Sequence, residues 1–296
     1  MREKPPSIER IEPIEKLRDI VQNALLSAYR KVLDLGPRGI EVIPSPLSSY
    51  DAEVLRADWE AEEAVLDYLS NSGLSIVVRS EEHAWRDIGS QPADYLAVLD
   101  GIDGSSEFKK QDSNHRSGTM LGIFRGRNPI YDDYITGGII EYPSGKLYTA
   151  TKNLWAFAQE PGLQPFSIRA NGQTVLTPES FYVDNNKDYK RMPETVNLLN
   201  GKGFKPKERL GSSAMHYAEV ADGRIGGVIE CNRKANLEIA TAYGLIRESG
   251  GVMVNEEGES LGSKNYRQFG QVNDGSLLII TAATKELADE IIKNLK

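Results

Sequence analysis

Across residues 14–33 the apolar side chains Leu17, Ile20, Val21, Ala24, Leu25, Ala28 and Val32 recur at steps of three and four. That period gathers them on one face of a helix. Residues 59–69 repeat the rhythm, with Ala61, Val65, Leu66, Tyr68 and Leu69 set among acids, until Ser72 and Gly73 stop it. The pattern then shortens. The runs LSIVV, YLAVL, GTMLGIF, ITGGII and KLYTA, spread over residues 74–150, predict strands, and the turn residues Gly126, Asn128, Pro129, Pro143, Ser144 and Gly145 between them predict a meander. After a polar, turn-rich stretch the chain alternates again: a helix over 214–221, the strand GGVIE, a helix over 237–249, the strand LLIIT and a C-terminal helix. This rhythm predicts mixed α and β structure in two halves, 1–150 and 151–296. The glycine cluster at Gly223, Gly226 and Gly227 lacks the spacing of a dinucleotide or phosphate loop and is expected to be a turn.

Composition narrows the classes. A chain of 296 residues can bury a large core, and its single cysteine, Cys231, excludes both an internal disulfide and a cysteine-rich zinc site. The charged start MREKPPSIERIEPIEK has no apolar core of the secretory kind, and no window approaches the roughly 20 apolar residues of a membrane span. A cytoplasmic protein without a membrane partner is the expectation. Net charge is -8, which disfavours a nucleic-acid partner and means that an anionic substrate needs a local cation.

The candidate chemistry lies in LDGIDGSSEF, residues 99–108. Asp100 and Asp103 stand where the run YLAVL meets a loop, and the acidic pair Glu81 and Glu82 ends the preceding strand in the same way. As isolated residues the aspartates could simply cap a turn. If the two strands are neighbours, three or four carboxylates converge, and such convergence needs hard cations; oxygen-only ligation favours Mg²⁺, Mn²⁺ or Ca²⁺ over zinc. Gly104, Ser105 and Ser106 add amides and hydroxyls able to grip a phosphate. An EF-hand is excluded by Val98 and by the missing closing glutamate; His83, His115 and His216 lack zinc-protease spacing and are expected to be ordinary surface or core histidines. No GxSxG elbow is present, and Trp59, Trp85 and Trp155 are expected to be packing residues.

Five segments in register resemble the inositol monophosphatase-like, Mg²⁺-dependent phosphatases, a family that includes archaeal-type fructose-1,6-bisphosphatases. They are ADWEAEEAVLDYL, SEE, DGIDGSSEF, LGSSAMHYAEVADGRIGGVIE and LEIATAYGLIRESGG. The resemblance implies a layered α/β/α/β/α sandwich, an α+β metal-binding half followed by an α/β substrate-binding half, and often a homodimer. It implies that Glu81, Asp100 and the carbonyl of Ile102 hold one Mg²⁺, and that Asp100, Asp103 and Glu238 hold a second. Two or three ions are expected, with Mn²⁺ an alternative. Asp58, Glu81 and Ser105 would form the catalytic group, Ser105 paired with Asp58 to orient or deprotonate a water. Gly104 and Ser105 would meet the phosphate; Ser212, Ser213, Glu230 and Arg233 would meet the rest of a small phosphorylated polyol or sugar. The implied activity is phosphomonoester hydrolysis. Fructose-1,6-bisphosphatase is the neighbouring alternative, and a binding-only homologue is the alternative from another class. The chain departs from the family at Gly101 for proline, Ser105 for threonine, Glu107 for asparagine and Leu237-Glu238 for Trp-Asp. Glu238 is longer than the aspartate it replaces, by about one bond length, where ligand sites need a fit within about 0.5 Å. Arg233 and Lys234 form an extra basic pair suited to a second phosphate.

Overall fold

The structure is a computed structural model and describes residues 13–45, 47–48, 52–112, 114–184, 191–206, 211–232, 234–271 and 275–296. Helix α1 (Ile14–Leu35) buries all seven residues of its predicted stripe and ends at Gly36, whose N–H bonds back to Leu33. The short strands β1 (Val42–Pro44) and β2 (Glu53–Leu55) pair antiparallel and lead into α2 (Arg56–Ser70). Next come β3 (Ile76–Ser80), β4 (Trp85–Ile88), β5 (Tyr95–Asp103), the single turn α3 (Ser105–Phe108), β6 (Ser117–Arg125), β7 (Tyr134–Tyr142), β8 (Leu147–Thr151), β9 (Ala156–Gln159) and β10 (Phe166–Ile168). Then follow β11 (Phe181–Val183), α4 (Met192–Gly201), α5 (Ser213–Ala221), β12 (Gly227–Cys231), α6 (Leu237–Glu248), β13 (Val252–Asn255), α7 (Tyr266–Phe269), β14 (Leu278–Ala282) and α8 (Lys285–Leu295).

An eight-stranded sheet runs β10-β9-β8-β7-β6-β5-β3-β4, and a four-stranded sheet runs β11-β12-β14-β13. From β5 to β8 the first is the expected meander, which β9 and β10 extend; β3 joins β5 in parallel, with Ser80 opposite Leu99. The first sheet continues to Ile168, later than the division expected near residue 150, and the second begins at Phe181. Three cores glue five layers. Leu17, Val21, Leu25, Val65 and Leu69 of α1 and α2 pack on one face of the large sheet with Val78, Ala97 and Leu99. Val98, Met120 and Phe124 on its other face meet Met215, Tyr217, Ala240 and Leu245 of α5 and α6. The small sheet packs its outer face on Met192, Leu199, Leu287 and Ile291 of α4 and α8. The result is the expected α/β/α/β/α sandwich.

Tryptophan is where the packing expectation fails. Trp59 packs against His83 at a tilt of 44°, but Trp85 and Trp155 are 45% and 56% exposed, lying beneath the guanidinium groups of Arg267 and Arg169 at 4.4 and 4.6 Å from the ring centroids. Trp85 sits on the edge strand β4, which is exposed along most of its length. An arginine covers each ring where a core would otherwise be needed. Among the described residues no helix is long and apolar enough to cross a membrane.

Candidate active site

Asp100 and Asp103 stand three apart in β5, and a regular strand would point them to opposite faces. A bulge corrects this. Asp100 pairs with Met120 and Asp103 with Gly118, so β5 spends one more residue than β6 between the two pairs. Both aspartates therefore share the face that carries Leu96 and Val98, where α6 packs. Glu238 enters from the first turn of that helix. One carboxylate oxygen from each of Asp100, Asp103 and Glu238 lies within 4.8 Å of the others, and all three residues are buried. The added methylene of Glu238 leaves its carboxylate in the group. Glu81 follows β3, the parallel neighbour of β5, so its strand ends at the same edge. It lies outside the 4.8 Å group but close enough to act electrostatically on both Asp100 and Asp58.

The electrostatics at Asp100 and Asp58 are those of buried acids among other acids. Burial, then the charges of Glu81, Asp103, Glu238 and Asp58, push the Asp100 carboxyl well above its ordinary range. Burial, Glu81 and Glu82 push Asp58 the same way, against the hydrogen bond from Ser105. Among the described residues Asp100 Oδ1 is buried with no hydrogen-bond partner. That oxygen is open to a hard cation, and the all-oxygen donor set fits Mg²⁺ or Mn²⁺.

Ser105 and Asp58, the expected pair, are hydrogen-bonded. Ser105 Oγ donates to Asp58 Oδ2 at 2.8 Å and lies 3.0 Å from the Ile102 carbonyl oxygen, while Ile102 N–H donates to Asp58 Oδ1 at 2.6 Å. This hold depends on a close approach of α2 to β5. A Cβ at position 101 would stand 2.5 Å from the Asp58 carbonyl oxygen and 2.9 Å from Glu62 Cγ, so Gly101, where proline was expected, is the residue that fits. Gly104 has φ +88°, and a Cβ there would strike Ser212 at 2.7 Å.

Ser212 and Ser213 open α5. Ser212 Oγ donates to Asp103 Oδ2 at 2.6 Å, and Ala214 N–H donates to the same oxygen at 2.7 Å. Asp103 thus caps α5 with one oxygen. Glu230, at the end of β12, accepts from the Tyr217 hydroxyl at 2.5 Å. Burial and the charges of Glu230, Glu238 and Asp103 hold the Tyr217 phenol well above its ordinary value. Arg233 lies outside the described residues, and so does the Lys234 side chain. Two residues were not singled out from sequence. Tyr217 offered no signal, being one apolar helix position among many; Glu62, four residues after Asp58, stood on the same helix face. Of the histidines, His83 and His216 are buried and His115 is partly exposed.

Residues 15–296 match the sequence profile of the inositol monophosphatase family. The chain belongs to that family. It is 30% identical over 244 residues to the fructose-1,6-bisphosphatase/inositol-1-monophosphatase of Thermococcus kodakarensis, 81% of each chain being covered. Its fold matches the extragenic suppressor protein SuhB of Bartonella henselae with a TM-score of 0.73 at 18% identity, over 95% of this chain and 98% of that one. It also matches a dual specific IMPase/NADP phosphatase bound with D-inositol-1-phosphate, with a TM-score of 0.71 at 16% identity over 96% of each. Membership of the inositol monophosphatase family makes the chain a phosphatase.

Proposed function

We propose that this chain is a Mg²⁺-dependent phosphomonoesterase acting on a small sugar or polyol phosphate. The observation that carries the reading is the convergence of Asp100, Asp103 and Glu238 beside an intact Ser105–Asp58 pair. Asp100 would bridge two cations, with Glu81 and the Ile102 carbonyl on one and Asp103 and Glu238 on the other. When bound, the cations polarise the phosphoryl oxygens, acidify the attacking water and stabilise the leaving alkoxide.

The remaining steps belong to the chain. The first amides of α3, at Ser105 and Ser106, have no partner within the helix and grip the phosphate together with Gly104. Ser105 Oγ accepts a proton from the water as it passes its own to Asp58 Oδ2, whose raised pKa suits it to receive one. Glu230, pinned by Tyr217, faces the alcohol part with Ser213. Ser212 serves the site through Asp103. A second reading, fructose-1,6-bisphosphatase, is favoured by the name of the Thermococcus relative, with Arg233 and Lys234 as the cations for a second phosphate. The binding-only alternative has the altered residues 101, 107, 237 and 238 disabling the second cation site; the Glu238 carboxylate lying within 4.8 Å of those of Asp100 and Asp103 supports the catalytic reading instead.

The test is release of inorganic phosphate from inositol monophosphates, fructose-1,6-bisphosphate and the 2'-phosphate of NADP, with and without Mg²⁺. The expected result is Mg²⁺-dependent release from at least one monoester, falling in Asp103→Asn by about a hundred- to a thousandfold, the scale for losing one electrostatic stabiliser. Full activity in that variant, or no release by the parent from any of them, overturns the reading.

A further inference from the structure

The turn that carries Glu81 is held from behind. The backbone N–H groups of Glu81, Glu82 and His83 all point at the Glu62 carboxylate. Glu81 N lies 2.9 Å from Oε1, Glu82 N 3.1 Å from Oε2, and His83 N 3.1 Å from Oε2. Successive amides aimed into one concavity make an anion cradle. Here the anion is a side chain of the same protein, with no exposed surface. Removing it would leave the buried amides of Glu81 and Glu82 without this acceptor and His83 N–H with only Ser80 Oγ, at 3.3 Å.

His83 supplies the fourth contact. Its Nδ1 lies 2.8 Å from Glu62 Oε2, and because a carboxylate only accepts, Nδ1 carries the hydrogen. On the ring's far side Nε2 lies 2.6 Å from Glu63 Oε1, a close approach without hydrogen-bond geometry, and the ring packs against Trp59 at a tilt of 44° with centroids 4.0 Å apart. Trp59, Glu62 and Glu63 all belong to α2, so the imidazole is bound to that helix on three sides. The same helix carries Asp58, four residues before Glu62. One rigid helix therefore holds both the Ser105 partner and the turn that presents Glu81.

We propose that His83 is a positioning residue: it fixes the rotamer of Glu62, and Glu62 fixes the 81–83 turn so that the Glu81 carboxylate meets a divalent cation together with Asp100. The proposal rests on the function proposed above. Groups that orient a ligand act on metal affinity before they act on chemistry. A histidine that merely fills space would not.

Two substitutions separate these roles. His83→Asn keeps an amide donor near the position of Nδ1 and removes the ring; His83→Leu fills the volume with no donor. The readout is Mn²⁺ affinity without substrate, followed by electron paramagnetic resonance. His83→Leu should bind Mn²⁺ about tenfold or more weakly than the parent, and His83→Asn within about threefold of it, on the scale of ligand-orienting substitutions. Parental affinity in His83→Leu overturns the proposal, as does His83→Asn as weak as His83→Leu, which would assign the effect to packing on Trp59. Should His83→Leu not fold, Glu62→Gln, which turns one acceptor into a donor facing the cradle, must show the same loss, and parental affinity there also overturns the proposal. A parent that binds no Mn²⁺ contradicts the proposed function and this role together; a parent that binds it alongside an unaffected His83→Leu contradicts only this role.

Discussion

Two clusters of buried acids touch the two ends of α5, and they are built differently. At the N-terminal end Asp103 caps the helix beside Asp100 and Glu238, carboxylate against carboxylate. At the other end Glu219 accepts from Arg116 at 2.6 Å, from the Tyr182 hydroxyl at 2.8 Å and from Arg224 at 3.3 Å. Arg116 also binds Glu141 through two nitrogens, and Arg224 binds Asp222. Burial acts to lower the Arg116 guanidinium, yet the hydrogen bonds and charge of Glu141 hold it above its ordinary value. In the second cluster guanidinium groups stand against the carboxylates; in the first, Asp100 is pushed up by the acids around it and keeps one oxygen without a hydrogen bond among the described residues. A buried carboxylate oxygen left open among other acids marks a place where a cation can enter from outside.

That comparison breaks or stands on a pair of substitutions. Arg116→Ala leaves Glu141 buried without its guanidinium and Glu219 with Arg224 alone, and should lower unfolding stability by about 3 kcal/mol, alike in Mg²⁺ and in EDTA. Asp100→Asn should do the reverse in EDTA, raising the midpoint of thermal unfolding by removing a repelled charge, while abolishing the further rise that Mg²⁺ gives the parent. If Asp100→Asn lowers the metal-free midpoint as Arg116→Ala does, the two clusters are alike and the comparison fails.

A smaller effect follows from pH. Asp58 and Asp100 have folded-state pKa values raised above their ordinary 3.8, so the metal-free folded state binds protons more tightly than the unfolded chain. Their contribution to stability is complete below that value and is lost as pH rises through the raised ones. In EDTA the unfolding midpoint should therefore lose ground from about pH 4 towards neutrality. The stabilisation by Mg²⁺ should grow over the same interval, reaching about 2.7 kcal/mol at a concentration a hundred times the Kd. A Mg²⁺ effect independent of pH contradicts the assignment of the cation to these acids.

Much of the first cluster was legible because its signals are local. Asp100 and Asp103 sit within four residues of each other, Glu81 ends an apolar run, and the parallel pairing of β3 with β5 brings those strand ends together. The bulge that turns the two aspartates to one face left no mark in the sequence beyond Gly101, which reads equally well as a turn residue. The stripe of α1 was read residue for residue, since a 3.6 period over six turns overrides noise. Short edge elements were not. Strands β4, β9, β10 and β11 have three or four residues each, too few to show alternation, and β4 is exposed along most of its length. The second cluster was invisible for a different reason. Arg116 finds Glu141 and Glu219 at separations of 25 and 103 residues, and only the packing of α5 on the large sheet brings them together. His83 was expected to be an ordinary histidine because its partners lie about 20 residues earlier on a helix whose face could not be aligned with the turn.

The account rests on the converging acids being a site for more than one cation, and isothermal titration of the metal-free protein with Mg²⁺ in the presence of inorganic phosphate tests this most directly. The account predicts more than one Mg²⁺ bound per chain, reduced in Glu238→Gln. A single ion with the affinity unchanged in Glu238→Gln, or none, would contradict it.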